Sequence, residues 1–511
     1  MEELARYLCD LAKQRGAEFA DVRVLHRRAE SILVQDGRAD KLAASTDRGV
    51  GVRVLVGRCW GFASADSLER SRGEQCVDDA LALARASQEF VSDPAMIAEA
   101  APVVAEDRRP PEIAPGAMPV KEKIARLLEY EHSGRAAGGQ AVVNSIVSYS
   151  DGMREEVLAN TAGTLIRTAG ARAVVTCLFV ASDGTIRQRG MEHRGILGGA
   201  EILRRTDPEP FSVAAARKAL ALLKARPAPA GRFAVIFHPS ITGLLVHEAL
   251  GHNAEADAVW AGQSILEGRL GEELAPPAVS IYDDSTVPGA FGSYAYDSEG
   301  TPGRRRPVIE KGRLGETLAA PGISIYDDST PPGEFGSYAY DSEGTPSRRR
   351  TIIDRGRLVG YLHSLETAAK FGAEPTGNAR ADSYDSRPIV RMSNTFMGRG
   401  TVPVEEMIRG VERGIYLMDG HWGYVFVQKG QFICHAGQAR MIEHGALGEP
   451  LRDVSISSLT LDTLKKIDAV GDDFEMKMPG TCGKEGQSAP TDTGGPHVRV
   501  GDIVVGGQHA E

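Results

Sequence analysis

No apolar run in this chain reaches the roughly 20 residues that a membrane-spanning helix needs, so the sequence offers no span of that kind. No secretory leader is expected either, since MEELARYLCDLAKQRGAEFADV reads as an amphipathic helix followed by a strand. Cysteine is sparse. Six residues of 511 (Cys9, Cys59, Cys76, Cys177, Cys434 and Cys482) show no dense spacing, which excludes a disulfide framework and makes a cysteine metal ligand credible. Nor is positive charge in excess. With 59 Lys and Arg against 69 Asp and Glu, the net charge of -10 argues against a nucleic-acid surface, because phosphate contacts need a basic face. The arginine clusters Arg304–Arg306 and Arg348–Arg350 are flanked by acidic residues and read as solvated loop charges. These absences lead us to expect a cytoplasmic protein that binds neither membrane nor nucleic acid.

What is present describes a globular chain, 42% apolar and 25% charged. Its length exceeds one ordinary core, so two domains are expected. The fold class read from the pattern is α+β. An N-terminal domain, residues 1–226, is expected as a sandwich-like unit with antiparallel strands, interrupted by a Pro/Ala-rich linker near 91–118. Helices are expected at Glu2–Arg15, Leu68–Gln88, Val120–His132 and Val213–Ala225. Short strands divide at the turn signals Asp36-Gly37, Asp151-Gly152, Ala162-Gly163 and Asp183-Gly184. Trp60 and Cys76 read as core. His193 reads as a surface-loop residue, with substrate contact as the alternative.

The second domain, residues 227–511, is expected to be β-rich, with further helices at Val404–Tyr416 and Leu461–Asp468. It contains a tandem repeat. A unit of 44 residues begins at Gly268 and again at Gly312, the two copies differing at 11 positions, and Gly356-Arg357-Leu358 starts a third copy that goes no further. Two copies are too few for a solenoid. Either can fill the place of one unit and leave the other as an extruded loop, at little cost in loop-closure entropy.

The chain is organised around FAVIFHPSITGLLVHEALGHNAEAD, residues 233–257. An apolar strand is broken at Pro239-Ser240, with Ser240 the expected N-cap of a helix that carries Ile241, Leu244, Leu245 and Ala249 at helical spacing. On it lie His247, Glu248 and, five residues after the first histidine, His252. Histidines four apart share a helix face, but five residues turn through about 500°, leaving the rings roughly 140° apart. Both can meet one ion only if the helix absorbs an extra residue. A π-bulge does that, and the permissive Gly251 is the expected place for the distortion.

HEALGHNAEAD resembles the metal-binding segment of the TldD/PmbA proteins, metal-dependent peptidases. The resemblance extends over most of the chain: GVGVRVLVGRCWGFAS (residues 49–64), TGNARADSYDSRPIVRMSNTFM (376–397), the GQF segment at Gly430 and PGTCGKEGQSAP (479–490). It favours the metal-bearing, TldD-like branch over the metal-free partner branch. That family has one copy of the 44-residue unit where this chain has two.

The resemblance implies a third ligand, Cys482, beside His247 and His252. Composition alone does not choose it over Cys434, but Cys434 lies in a strand pattern that packs inward, whereas Cys482 sits in a loop between glycines. A His-His-Cys set favours zinc, one ion per chain, and leaves a fourth position open. Glu248 is then the general base, while Glu255 and Asp257 steady the ligands. The substrates implied are small or unfolded polypeptides. The partner implied is a homologous metal-free subunit in a heterodimer, with a homodimer as the alternative. The competing function is a non-catalytic binding or assembly subunit.

Overall fold

The computed structural model describes residues 1–270, 272, 274–276, 281–284, 309–313, 325–329, 338–346, 349–358, 360–476 and 478–506. Its fold is mixed α+β, multidomain and rich in strands. The expected loop charges Arg304–Arg306 and Arg348 lie outside the described residues.

In the first half, strands β1 (Phe19–Gln35), β2 (Arg38–Val56), β3 (Cys59–Ala65), β4 (Val104–Arg109), β5 (Val142–Asn160), β6 (Leu165–Ser182) and β7 (Arg187–Leu197) form one seven-stranded sheet. Its order is β3-β2-β1-β5-β6, and the outer edge of β6 is shared by β4 and β7. Asp36-Gly37 is a two-residue hairpin turn with both φ angles positive, the geometry that Asp-Gly favours.

Asp151-Gly152 is no turn. It lies inside β5, paired with Ala29 and Glu30 of β1. The strands are long because they pass through two separate cores. Val22 and Val24 of β1, with Val157 and Ala159 of β5, pack under the helices Glu2–Gln14 and Arg70–Ser87. Further along, Ile32 and Val34, with Val147 and Tyr149, pack under Val120–Gly138 and Pro208–Lys224. The stretch expected as linker contributes β4, which pairs in parallel with β6.

In the second half an eight-stranded sheet runs in the order Arg413–Phe426, Gly231–Phe237, Val498–Gly506, Val454–Leu459, Gln431–Glu443, Ala446–Arg452 and Arg226–Pro227; Ile467–Val470 also pairs with Val498–Gly506. The helix expected over 404–416 stops at Arg409. From Arg413 the chain is extended because Ile415 pairs with both Val235 and Met441, which outweighs its helical pattern. The other expected helix covers only Thr460–Lys465 and gives way to strand.

A second eight-stranded sheet holds the repeat. Ile281–Asp284 pairs antiparallel with Ile309–Arg313, and Ile325–Asp328 pairs antiparallel with Arg349–Leu358, in registers that differ by one residue between the copies. Arg349 and Arg350 therefore lie on a strand, not in a loop. The two halves meet over this region. Arg53 of β2 reaches Glu343 of the second copy at 2.6 Å, and Arg23 of β1 donates to the carbonyls of Ser383 and Ser386. Gly51 permits the approach, since a side chain there would strike the backbone of Tyr384.

Candidate metal centre

The apolar strand Gly231–Phe237 runs through the middle of its sheet and delivers the chain into the helix Pro239–Leu245. His238 is the N-cap: its Nδ1 accepts from the Ser240 backbone N–H, and Pro239 takes the first helical position. Ser240, expected as the cap, is instead the second helical residue, two positions after it. Ile241, Leu244 and Leu245 bury one face of the helix in the largest core.

The next six residues, Val246–Gly251, form a π-helical turn. The extra residue between the histidines is absorbed there, and the two imidazoles face each other edge-on with centroids 5.2 Å apart. Gly251 ends the turn against Met392, whose side chain occupies the space a Cβ would need.

Cys482 arrives from strand Gly480–Lys484, which forms a hairpin with Gln487–Gly495. The expected loop is a strand because Glu485 and Gly486, both at positive φ, close a tight turn. Cys482 is 6% exposed and belongs to the main core, so the thiol is buried rather than open. Buried Arg391 braces the hairpin by donating to the carbonyls of Cys482 and Gln487.

Among the described residues, His247, His252 and Cys482 are the one group of three whose donor atoms all lie within 4.8 Å of one another. Cys482 Sγ is 3.3 Å from His252 Nε2. Burial pushes this thiol up, but the charges of His252 and His247 more than offset it and hold the thiol well below its ordinary value. The imidazole of His252 responds in the opposite sense: burial pushes its pKa down, while Cys482 and Glu255 hold it well above the ordinary value. The donor set is not satisfied by protein alone, since Nδ1 of His247 is buried without a hydrogen-bond partner. Soft sulfur beside two imidazoles fits zinc.

Around the three donors runs an ionic chain. His252 Nδ1 donates to Glu255 at 3.0 Å, which leaves Nε2 facing Cys482. Lys484 Nζ lies 3.2 Å from Glu255 and 2.7 Å from Asp257, and also donates to the Val390 carbonyl. Glu255 thus contacts one of the three donors directly, and Asp257 reaches them only through Lys484. Lys484 and Arg391 were not singled out by sequence reasoning. Had the Cys482 segment been read as a strand, its period of two would have put Lys484 on the same face as Cys482.

A cavity of about 750 Å³ opens onto the donors and is lined by Glu248, Trp422, Tyr424 and His193 among others. Gly423 lies against Glu248, with room there for a hydrogen only. His193 is not a surface-loop residue. It lies on β7 and faces this cavity from the first half of the chain, its ring bonded to the Pro479 carbonyl three residues before Cys482. Cys434 is buried on Gln431–Glu443, apart from the donor group. No described helix is long and apolar enough to cross a membrane.

Comparison with known proteins bears directly on this arrangement. Models of the PmbA/TldA metallopeptidases match domain 1 over residues 20–84, the central domain over 113–223, and the C-terminal domain over 230–314 and again over 311–507. The C-terminal match divides at the junction of the two repeat copies. A metalloprotease of Methanothermobacter thermautotrophicus is 37% identical over 490 residues, 96% of each chain. A zinc metalloprotease TldD homolog of Saccharolobus solfataricus is 25% identical over 499 residues, 97% of this chain and 98% of its own. The crystal structure of TldE from Thermococcus kodakarensis shares the fold, with a TM-score of 0.67 at 17% identity over 99% of this chain and 100% of that one.

Proposed function

This chain belongs to the TldD/PmbA family of metallopeptidases, and on that premise we propose that it is a zinc-dependent peptidase of small or unfolded polypeptides. His247, His252 and Cys482 hold one zinc ion, and Glu248 is the general base. The observation that carries this reading is the convergence of the three donors on a cavity that Glu248 also lines.

Zinc bound there supplies a Lewis acid and brings the pKa of water down to about 7. The side chains do the rest. Glu248, adjacent to His247, takes the proton of the attacking water and hands it to the leaving amine. Glu255 fixes the tautomer and orientation of His252, and Lys484 fixes Glu255. Arg391 holds the backbone of Cys482 in place. The cavity, about 750 Å³ beside the donors, has room for a short extended segment of chain.

A homologous metal-free subunit is the proposed partner, with a second copy of this chain as the alternative. Trp422, Tyr424 and Phe426, all about half exposed on one face of their strand beside the cavity, are suited to being covered by it.

The deciding experiment compares zinc-loaded wild type with Glu248→Gln on reduced, carboxymethylated casein, in the presence and absence of the partner. The variant should keep stoichiometric zinc and its melting temperature while hydrolysis falls by about 10²-fold or more. Equal rates would overturn the assignment. If the wild type is inert with or without the partner, the non-catalytic subunit is the better reading, and the duplicated unit beside the site favours it.

A further inference from the structure

The hairpin that carries Cys482 also borders a second cavity, of about 480 Å³, between the two halves of the chain. Its floor is the face of the seven-stranded sheet that lies opposite the helices. Strand alternation decides which side chains reach it. Asp151 of β5 and Glu30 of β1 turn to the helix side, where both accept from buried Lys123 of the helix Val120–Gly138. Gly152, Arg154 and Glu156 therefore turn to the cavity. In register with them stand Arg27 of β1, Gly170 and Arg172 of β6, and Asp107 and Arg109 of β4. The roof is supplied by Arg380, Asp382, Arg391 and residues 488–490 of the hairpin.

Charge sets this cavity apart. In a chain of net charge -10, the guanidinium groups of Arg27, Arg109, Arg154, Arg172, Arg380 and Arg391 all border it. Among the described residues that line it from the same side, the opposing carboxylates are Asp107, Glu156 and Asp382. Each of these already meets an arginine. Asp107 accepts from Arg109 at 2.9 Å and Glu156 from Arg154 at 3.0 Å. Asp382 lies 3.9 Å from Arg27, which also meets Asp47 at 3.2 Å. Positive charge is left in excess.

Much of that excess is buried. Arg391 is 1% exposed; it donates to the carbonyls of Cys482 and Gln487, and its Nε is buried without a hydrogen-bond partner. Arg380, also buried, donates to the Met392 carbonyl at 2.7 Å and lies over the Tyr338 ring, 4.6 Å from its centroid. A carbonyl or a ring face satisfies a donor but cancels no net charge. The crowding shows at Arg172. Burial pushes its guanidinium well below the ordinary value, and Arg380, Arg154 and Arg109 push it the same way, with Asp107 opposing. Ala29, Gly152 and Gly170 keep the floor low between these groups, which leaves room for a ligand to reach them.

We propose that this cavity binds a small, multiply charged oxyanion, a phosphate or a dicarboxylate, held by Arg172 and Arg380 with Arg109 and Arg154 around it. Guanidinium forks match the paired oxygens of both groups. The site is separate from the candidate metal centre but shares Arg391 with it, since that side chain also holds the Cys482 carbonyl. Anion binding here requires neither zinc nor hydrolysis.

Isothermal titration calorimetry of the full chain with inorganic phosphate and, separately, with succinate tests this at an ionic strength held constant with chloride. At least one ion should bind saturably with a dissociation constant below about 1 mM. The tighter of the two tells a phosphate ligand from a carboxylate. Arg172→Gln should weaken that binding by at least about 10-fold, with zinc content equal to that of wild type. Undiminished binding in this variant would put the anion elsewhere, the metal centre included, and overturn the site. So would the absence of saturable heat from both ions up to about 10 mM. A second variant reads the same cavity with every arginine in place. A Cβ at Gly170 meets nothing nearer than 3.8 Å, so Gly170→Glu fits and brings a carboxylate among the guanidinium groups. It should melt at least about 2 °C above Gly170→Gln, which adds the same bulk without charge, and should no longer bind either ion. A midpoint no higher than that of Gly170→Gln, or binding retained in Gly170→Glu, overturns the proposal.

Discussion

Cys482 Sγ lies 3.3 Å from Nε2 of His252, and each group sets the charge of the other. Despite burial, the thiol is held well below its ordinary value by His252 and His247, and the His252 imidazole is held well above its own. In the metal-free protein each partner therefore favours the charged form of the other. Burial instead raises the thiols of Cys9, Cys76, Cys177 and Cys434. Limiting iodoacetamide at pH 6.5 should alkylate Cys482 first in the folded, metal-free protein, and zinc should protect it. Peptide mapping by mass spectrometry reads the site. Equal labelling of Cys434 and Cys482 would contradict the arrangement.

Zinc affinity should fall in two distinct steps along the chain of contacts. Cys482→Ser removes a proposed ligand and should weaken binding by more than about 100-fold. Glu255→Gln leaves all three donors but loosens His252, and the expected loss is about 10- to 100-fold. Competition against a chromophoric chelator measures both. If Glu255→Gln binds as tightly as wild type, the bond from Glu255 to His252 does not orient the imidazole for metal.

The same carboxylate predicts a pH dependence. Burial pushes Glu255 up, but Lys484 and His252 outweigh it and hold the group at about 2, against an ordinary value of 4.5. A depressed folded pKa contributes stability in full above the unfolded value and loses it as pH falls towards the folded one. In the metal-free protein, the melting temperature of wild type should exceed that of Glu255→Gln above pH 5, and the gap should close between pH 4.5 and about 2. A gap independent of pH across that window would mean that Glu255 is not held as an ion.

How much of this was readable beforehand divides by range. The π-turn was legible because five residues on a helix cannot bring two histidines together otherwise, and Gly251 stood where the distortion falls. Asp36-Gly37 was legible because a hairpin turn is a local preference. Asp151-Gly152 carried the same local signal but lies mid-strand, where pairing with β1 on one side and β6 on the other prevails. Cys482 looked like a loop residue because flanking glycines hide a short hairpin strand. Arg391 could not be found from pattern, since its partners are the carbonyls of Cys482 and Gln487, more than 90 residues away. His193 was misplaced for a related reason: β7 pairs with β6 through Thr176, and the cavity it faces is built by the other half of the chain.

Gly423 offers a way to disturb Glu248 without contacting the three proposed ligands. A Cβ at this position would sit 2.8 Å from Glu248 Cγ and 3.2 Å from Leu244 Cγ. Gly423→Ala must push the Glu248 side chain aside while leaving His247, His252 and Cys482 untouched. Small displacements of a catalytic group cost up to about 10²-fold in rate. Hydrolysis should therefore drop by at least about 10-fold at unchanged zinc affinity. A parallel loss of zinc would show that the substitution disturbs the helix as a whole.

The π-turn itself is testable through its contact with Met392. Gly251 closes the turn against this fully buried side chain, so an added methyl group forces either Met392 or the helix to move. If the helix moves, the histidines separate, and Gly251→Ala should weaken zinc binding by about 10-fold or more and lower the melting temperature. Met392→Ala makes the needed space, at the cost of about 2–5 kcal/mol for the cavity it leaves. In the double variant the new methyl group enters that cavity. The two changes should therefore be strongly non-additive: the double should be no less stable than Met392→Ala and should regain most of the zinc affinity lost in Gly251→Ala. Additive losses would mean that Gly251 is required for its backbone conformation rather than for the space beside Met392. That outcome would locate the strain of the turn in the helix and not in its packing.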